Sequence, residues 1–393
     1  MKLKMTISFW LVLGLMLPCY AQDTDLFSKL IKVADKKGEL IVCDHSLLKE
    51  TVVIPLSTFV EELQMVKLDN ADEALVMESS VEISNNYFLI KGERQIPYKL
   101  FNKKTGKFIT NIGAFGQGPG EYQFIYDHQL DEENDRIYLL PWQAKGILEY
   151  NLKGEFLRQI PLCFGSPKGN FKVDTKAGTL IVSVVPFQGT EAVVWEQTIK
   201  GEVLKSIHPN HLAVPGQNGF NNETSSYKQN GIYGFNVFTF KPRIDSVYHY
   251  DKNKNILIPV FTMNFKTDNL PIHSYYETKR YFMGDFAEEK KLNETTTTTQ
   301  NHRFYFVDKQ TLKGSFFTLE NDYLGGINIE WPVLVLSGEY YVYNVEPANL
   351  REKIDEVLSK NNKLTSEMKA KLAKLKDSIS DNDNNYIFYA KIK

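Results

Sequence analysis

Residues 109–122 read ITNIGAFGQGPGEY. Phe108, Ile109, Thr110, Asn111 and Ile112 form the end of a strand, and a new aromatic-rich strand starts at Tyr122. Between them stand Gly113, Gly116, Gly118 and Gly120. So many glycines close a turn whose backbone takes positive φ or passes close to another segment. The spacing is not a dinucleotide fingerprint. Glu121 stands where that motif needs its last glycine, and a strand follows where a helix N-terminus would hold the pyrophosphate. The stretch is a tight connection between two strand units.

Outward from this loop, a turn of the form strand–x-Lys-Gly–strand recurs. Its central residues are Gly106, Gly154, Gly201, Asn253 and Gly314, with Asn253 taking the glycine's role at positive φ. The spacings are 48, 47, 52 and 61 residues, the repeat length of four-stranded propeller blades. Units follow at residues 80–112, 124–160, 171–207, 226–265 and about 276–319. The last unit is split. Residues 327–330 and 340–343 supply two strands, residues 347–378 switch to helical spacing with a break at Asn361-Asn362, and residues 386–392 supply the final strand. Its fourth strand is expected from residues 63–68, which would join the two chain ends and leave no open edge. The reading is an all-β, six-bladed β-propeller of four-stranded blades with a helical insertion in the last blade.

The chain resembles the exported six-bladed propellers of Bacteroidetes, which are NHL- or TolB-like in shape. The resemblance is carried by Ile54-Pro55-Leu56-Ser57, Val66-Lys67-Leu68, Gly106-Lys107-Phe108, Gly116 to Tyr122, and Asp245-Ser246-Val247-Tyr248. It implies an exported propeller and no agreed activity. Residues 293–299 (NETTTTT) depart from it.

Met1 to Lys4 is short and basic, residues 9–17 are apolar, and Pro18-Cys19-Tyr20-Ala21 follows. This predicts a signal peptide over residues 1–21 and one propeller domain over residues 22–393. The apolar run is too short to span a bilayer, and no later segment is long enough. Lipidation at Cys19 is the less favoured alternative, because Leu17-Pro18 precede it. Cleavage leaves 44 Lys+Arg against 48 Asp+Glu, so a nucleic-acid partner is not expected. The product is expected to be a periplasmic or extracellular monomer. Cys43 and Cys163 read as two separate thiols.

No Gly-x-Ser-x-Gly elbow, HExxH pair or EF-hand loop occurs among the candidate motifs. His208 and His211 sit in a proline-flanked loop. The innermost strands offer Glu82, His128, Asp174, Lys228 and Glu330, a mixed set that makes a poor metal cage. No cofactor and no metal are expected. Turns between second and third strands carry Arg94, Trp142, Lys145, Gln188, Lys241 and Arg243. These share one face with the connection residues Gln117, Glu121 and Tyr122. Aromatic rings beside planar hydrogen-bonding groups suit sugars, peptides or anionic molecules. Arg94, Trp142, Lys145, Arg243, Glu121 and Tyr122 are the expected ligand-binding residues. The function read here is a non-catalytic exported binding or scaffolding propeller for a glycan, peptide or protein partner. The alternative is a metal-dependent lyase or lactonase-like enzyme.

Overall fold

The computed structural model describes residues 29–393 except 167, 215–220, 230, 294–295, 337 and 362. The expected signal peptide and Cys19 lie outside the described residues. The fold is all-β with few helices, and its sheets are arranged as in a propeller. No helix among the described residues is long and apolar enough to cross a membrane.

Blade 1 runs Val81–Ile83, Tyr87–Ile90, Tyr98–Asn102, Phe108–Ile112. Blade 2 runs Ile125–Asp131, Arg136–Pro141, Ala144–Tyr150, Phe156–Ser166. Blade 3 runs Gly169–Asp174, Thr179–Val184, Val194–Thr198, Val203–Ile207. Blade 4 runs Glu223–Tyr227, Gly234–Phe238, Ser246–Asp251, Ile256–Asn264. In blade 5, Ile272–His273 and Tyr276–Glu277 both pair with Tyr281–Lys291, followed by Thr297–Asp308 and Lys313–Asn321. A closing sheet has three strands, Tyr340–Val345, Tyr386–Lys391 and Gln64–Lys67.

Alternation along each strand explains why successive sheets stack. In the run Ile137-Tyr138-Leu139-Leu140, Ile137 and Leu139 pack toward blade 1, while Tyr138 and Leu140 pack toward blade 3. A strand buried on both faces reads as a continuous apolar run. The same logic places one apolar cluster between each neighbouring pair of sheets. The last of them joins Ile387 and Tyr389 of the closing sheet to Phe88 and Ile90 of blade 1. The innermost strands follow one another around a central channel, and Tyr340–Val345 lies beside Val81–Ile83.

The expectation of six four-stranded blades is corrected. Five sheets are full blades, and the sixth position holds a three-stranded sheet. Ile327–Ile329, expected inside the last blade, pairs instead with Leu319–Asn321 of blade 5. Helix α1, Pro332–Val335, packs against both Tyr281–Lys291 and Tyr340–Val345. It occupies the interval where an innermost strand would run. The helical insertion is present as α2, Pro347–Lys360, and α3, Ser366–Asp377.

The N-terminal segment does more than supply Gln64–Lys67. Leu40–Asp44 adds in parallel to the outer strand of blade 4, and Thr51–Pro55 adds in parallel to that of blade 5. Both cover outer edges that would otherwise expose unpaired backbone groups.

The repeated turns are also adjusted. Gly106, Gly154 and Gly201 have φ of 66°, 82° and 88°. In blade 4 the left-handed residue is Asn255 rather than Asn253, and in blade 5 it is Leu312 rather than Gly314. Gly106 has a packing reason as well, since a Cβ there would stand 2.0 Å from the Lys67 carbonyl of the closing sheet. Cys43 and Cys163 are both free. Burial pushes the Cys43 thiol up to about 12, an inert packing group.

Candidate ligand-binding site

In a four-stranded antiparallel meander, the second-to-third turn and the exit to the next blade emerge on the same side. That geometry gathers the loops between blades 1 and 2 around a pocket of about 120 Å³. Lys91, Glu93 and Arg94 come from the blade 1 turn, and Phe115, Tyr122 and Phe124 from the glycine-rich connection. Phe115 and Phe124 are 44% and 53% exposed, so two aromatic faces meet solvent at its mouth. The Lys91 ammonium sits 5.3 Å from the Phe124 ring centroid, in cation–π range. Arg94 is exposed on a turn held at φ 57°.

The glycine loop folds to present these rings. Ala114–Phe115 pairs in parallel with Glu121–Tyr122. The Glu121 carboxylate accepts the Gly118 N–H at 2.9 Å. Tyr122 is buried; its hydroxyl donates to the Ile112 carbonyl at 2.6 Å and accepts the Tyr98 N–H at 2.8 Å. Tyr122 is thus floor and brace, with its hydroxyl already committed.

The remaining expected residues separate. Trp142 is 37% exposed, and its backbone N–H donates to the carbonyl of the pocket residue Phe124 at 2.9 Å. Lys145 is exposed at the start of the third strand of blade 2. Gln117, Gln188 and Lys241 are exposed on connections or turns of blades 1, 3 and 4. Arg243 is turned into the protein. Its guanidinium lies 2.9 Å from the Asp245 carboxylate and donates to the carbonyls of Leu212 and Ala213 at 2.8 and 3.1 Å. That fork ties the blade 3 exit to blade 4.

Behind the pocket, inner-strand side chains cap the backbone of the next blade. Glu82 accepts the Leu130 N–H at 2.9 Å, Asp127 accepts the Phe171 N–H at 2.9 Å, and Gln129 accepts the Val173 N–H at 2.8 Å. His128 lies between them, 3.2 Å from the Tyr98 hydroxyl through Nδ1 and 3.7 Å from Glu82 through Nε2. Lys228 reaches across from blade 4 to Asp127 at 2.7 Å. Of the five inner-strand candidates, Glu82, His128 and Lys228 therefore converge. Asp174 turns to the Ala177 N–H, and the exposed Glu330 lies 3.4 Å from Lys353. Among the described residues no group of three or more His, Cys, Asp or Glu is arranged to hold a metal.

Desolvation raises the Glu82 carboxyl to about 7, opposed by the Leu130 N–H, and desolvation lowers His128 to about 4. The signs differ. A carboxyl raised from 4.5 gives stability that is full below pH 4.5 and lost as pH rises through about 7. A lowered imidazole gives stability that is full above pH 6.5 and lost as pH falls through about 4. The Glu82 shift corresponds to about 3 kcal/mol. It is reduced to about 1–2 kcal/mol because a third of the side chain meets channel water. Glu82→Gln keeps the acceptor for Leu130 and removes the charge. It is expected to be more stable than wild type by that amount at pH 8 and equal to it at pH 4. Urea titrations at both pH values check this, and equal stability at pH 8 would show that Glu82 carries no charging cost.

Sequence reasoning missed Lys91, Phe115, Phe124 and Asp127. The two phenylalanines flank the glycine loop in the sequence, and that adjacency was the available signal.

The family model described as "Domain of unknown function (DUF4934)" matches residues 40–391. A crystal structure of a Bacteroides fragilis protein described as exported superposes with a TM-score of 0.58 at 16% identity, covering 90% of this chain and 99% of that one. A DUF4221 family member from Bacteroides vulgatus gives a TM-score of 0.46 at 12% identity, over 85% and 97% of the two chains. At these identities the first likeness speaks to the fold alone. No curated protein matches.

Proposed function

This chain belongs to the DUF4934 family, and from that premise we propose that it is an exported, non-catalytic binding propeller that recognises a glycan, peptide or protein partner on its channel face. The observation that carries the reading is the pocket between blades 1 and 2, where two exposed aromatic rings and two cations meet. Aromatic faces beside a few placed polar groups are the chemistry of recognition. In this reading Arg94 and Trp142 contact the ligand, Glu121 and Lys145 form the rim, and Tyr122 is the floor. Arg243 acts at a distance by holding the neighbouring connection. The closing sheet with α1 serves as a shortened sixth unit of the ring. The mature chain over residues 22–393 works as one domain and a monomer, in the periplasm or outside the cell.

Glycan and peptide arrays probed with the mature protein, followed by calorimetry on the hits, test this. Arg94→Ala and Trp142→Ala are each expected to weaken binding at least about tenfold, the equivalent of 1.4 kcal/mol. Affinity unchanged in both variants would place the site elsewhere.

A further inference from the structure

We infer that the pocket between blades 1 and 2 takes the terminal acidic sugar of a glycan, with the sugar ring on the aromatic faces and its carboxylate between Lys91 and Arg94. This rests on the binding reading above and specifies its ligand.

Three observations carry it. The first is charge. Lys91 and Arg94 line the pocket against one carboxylate, Glu93. Among the described residues neither cation makes an ion pair, whereas Lys228 pairs with Asp127 and Lys309 with Glu277. A lining with one cation in excess, on a chain with more acidic than basic residues, suits an anion, and an arginine fork suits a carboxylate.

The second is shape. The pocket holds about 120 Å³, well under the roughly 300 Å³ at which drug-sized pockets begin. It admits one ring at the end of a larger molecule. The exposed rings of Phe115 and Phe124 present flat apolar surface to the C–H face of such a ring.

The third concerns the backbone. An extended peptide would bind by pairing with a free strand edge. Here the edge is spent. The Lys91 N–H donates to Ser80, the Trp142 N–H to Phe124 and the Gly116 N–H to Tyr122, all at 2.9–3.1 Å. A sugar needs no backbone partner, so the pocket favours a glycan over a peptide.

The test uses the mature protein with uronic acid-terminated oligosaccharides and the same oligosaccharides after carboxyl reduction, read by calorimetry. The acidic forms are expected to bind at least tenfold tighter than their reduced counterparts. Lys91→Met with Arg94→Met should bring that preference below threefold, and sodium chloride should weaken only the acidic forms. Thermal melts of the double variant establish that it is folded; if it is not, Arg94→Met alone should reduce the preference at least threefold. Equal affinity for acidic and reduced forms, still lost in Trp142→Ala, overturns the acidic ligand and leaves the binding face standing. Peptide binding that is lost in Trp142→Ala, with no response to either sugar, overturns the glycan. Failure of both sugars, with array ligands indifferent to Trp142→Ala and Arg94→Ala, overturns this inference and the binding reading together.

Discussion

A chain lacking residues 386–393 is expected not to fold. Tyr386–Lys391 is the middle strand of the closing sheet and pairs with Tyr340–Val345 on one side and Gln64–Lys67 on the other. Tyr386, Ile387, Phe388 and Tyr389 are all buried. At about 1.5–3 kcal/mol for each large apolar side chain, their burial supplies about 6–12 kcal/mol. That is comparable to the entire stability of an ordinary domain, about 5–15 kcal/mol. The strand also fastens the ends of the ring. Tyr389 donates to Gln64 at 2.5 Å, and Ile392 bridges to Val60. Just before it, the buried Asn384 amide donates to the carbonyls of Asp69 and Ala74 at 2.7 and 2.9 Å. The measurement is a thermal melt of the truncated chain followed by circular dichroism, with Ile387→Ala as a milder companion expected to lose about 2–5 kcal/mol. A truncated protein that melts within a few degrees of the intact one would mean that the ring does not depend on this closure.

Trp195→Ala is expected to lose about 3–5 kcal/mol. Trp195 is fully buried between blades 2 and 3 and meets Phe164 edge to face at 5.3 Å. Its indole N–H donates to the Gln197 side-chain oxygen at 2.8 Å. That oxygen also accepts the Cys163 N–H at 3.1 Å, and the Gln197 amide donates to the Pro161 carbonyl at 2.7 Å. Truncation therefore opens a cavity while Gln197 keeps a partner, so the cost is packing rather than an orphaned amide. Trp195→Phe should lose less, because an aromatic ring remains against Phe164. Urea unfolding with an unchanged slope gives the numbers. A loss below 1 kcal/mol for Trp195→Ala would show that this interface collapses around the gap.

The local units were legible in the amino-acid pattern. Alternating strands, glycine turns and a repeat near 50 residues placed the four strands of each of blades 1 to 3 in order, with some ends shifted, because hairpins join strands that are neighbours in the chain. The helical insertion declared itself through Leu350 and Ile354, both buried in the structure. The closing partner at Gln64–Lys67 was legible because the last sheet lacked an edge partner. Distant pairings were set by the closed ring. Leu40–Asp44 joins a strand more than two hundred residues away in parallel, and no turn motif announces such a pair. Ile327–Ile329 had strand character, but nothing local could say that it belongs to blade 5. The same limit governs the site. Arg94 and Trp142 stand exposed on the turns where the sequence puts them, whereas Arg243 reads alike in the sequence and is drawn inward by Asp245. Asp127, Glu82, His128 and Lys228 become one cluster only when the inner strands of blades 1, 2 and 4 close around the channel. Burial and long-range charge pairing are properties of that closed ring, and a linear pattern carries neither.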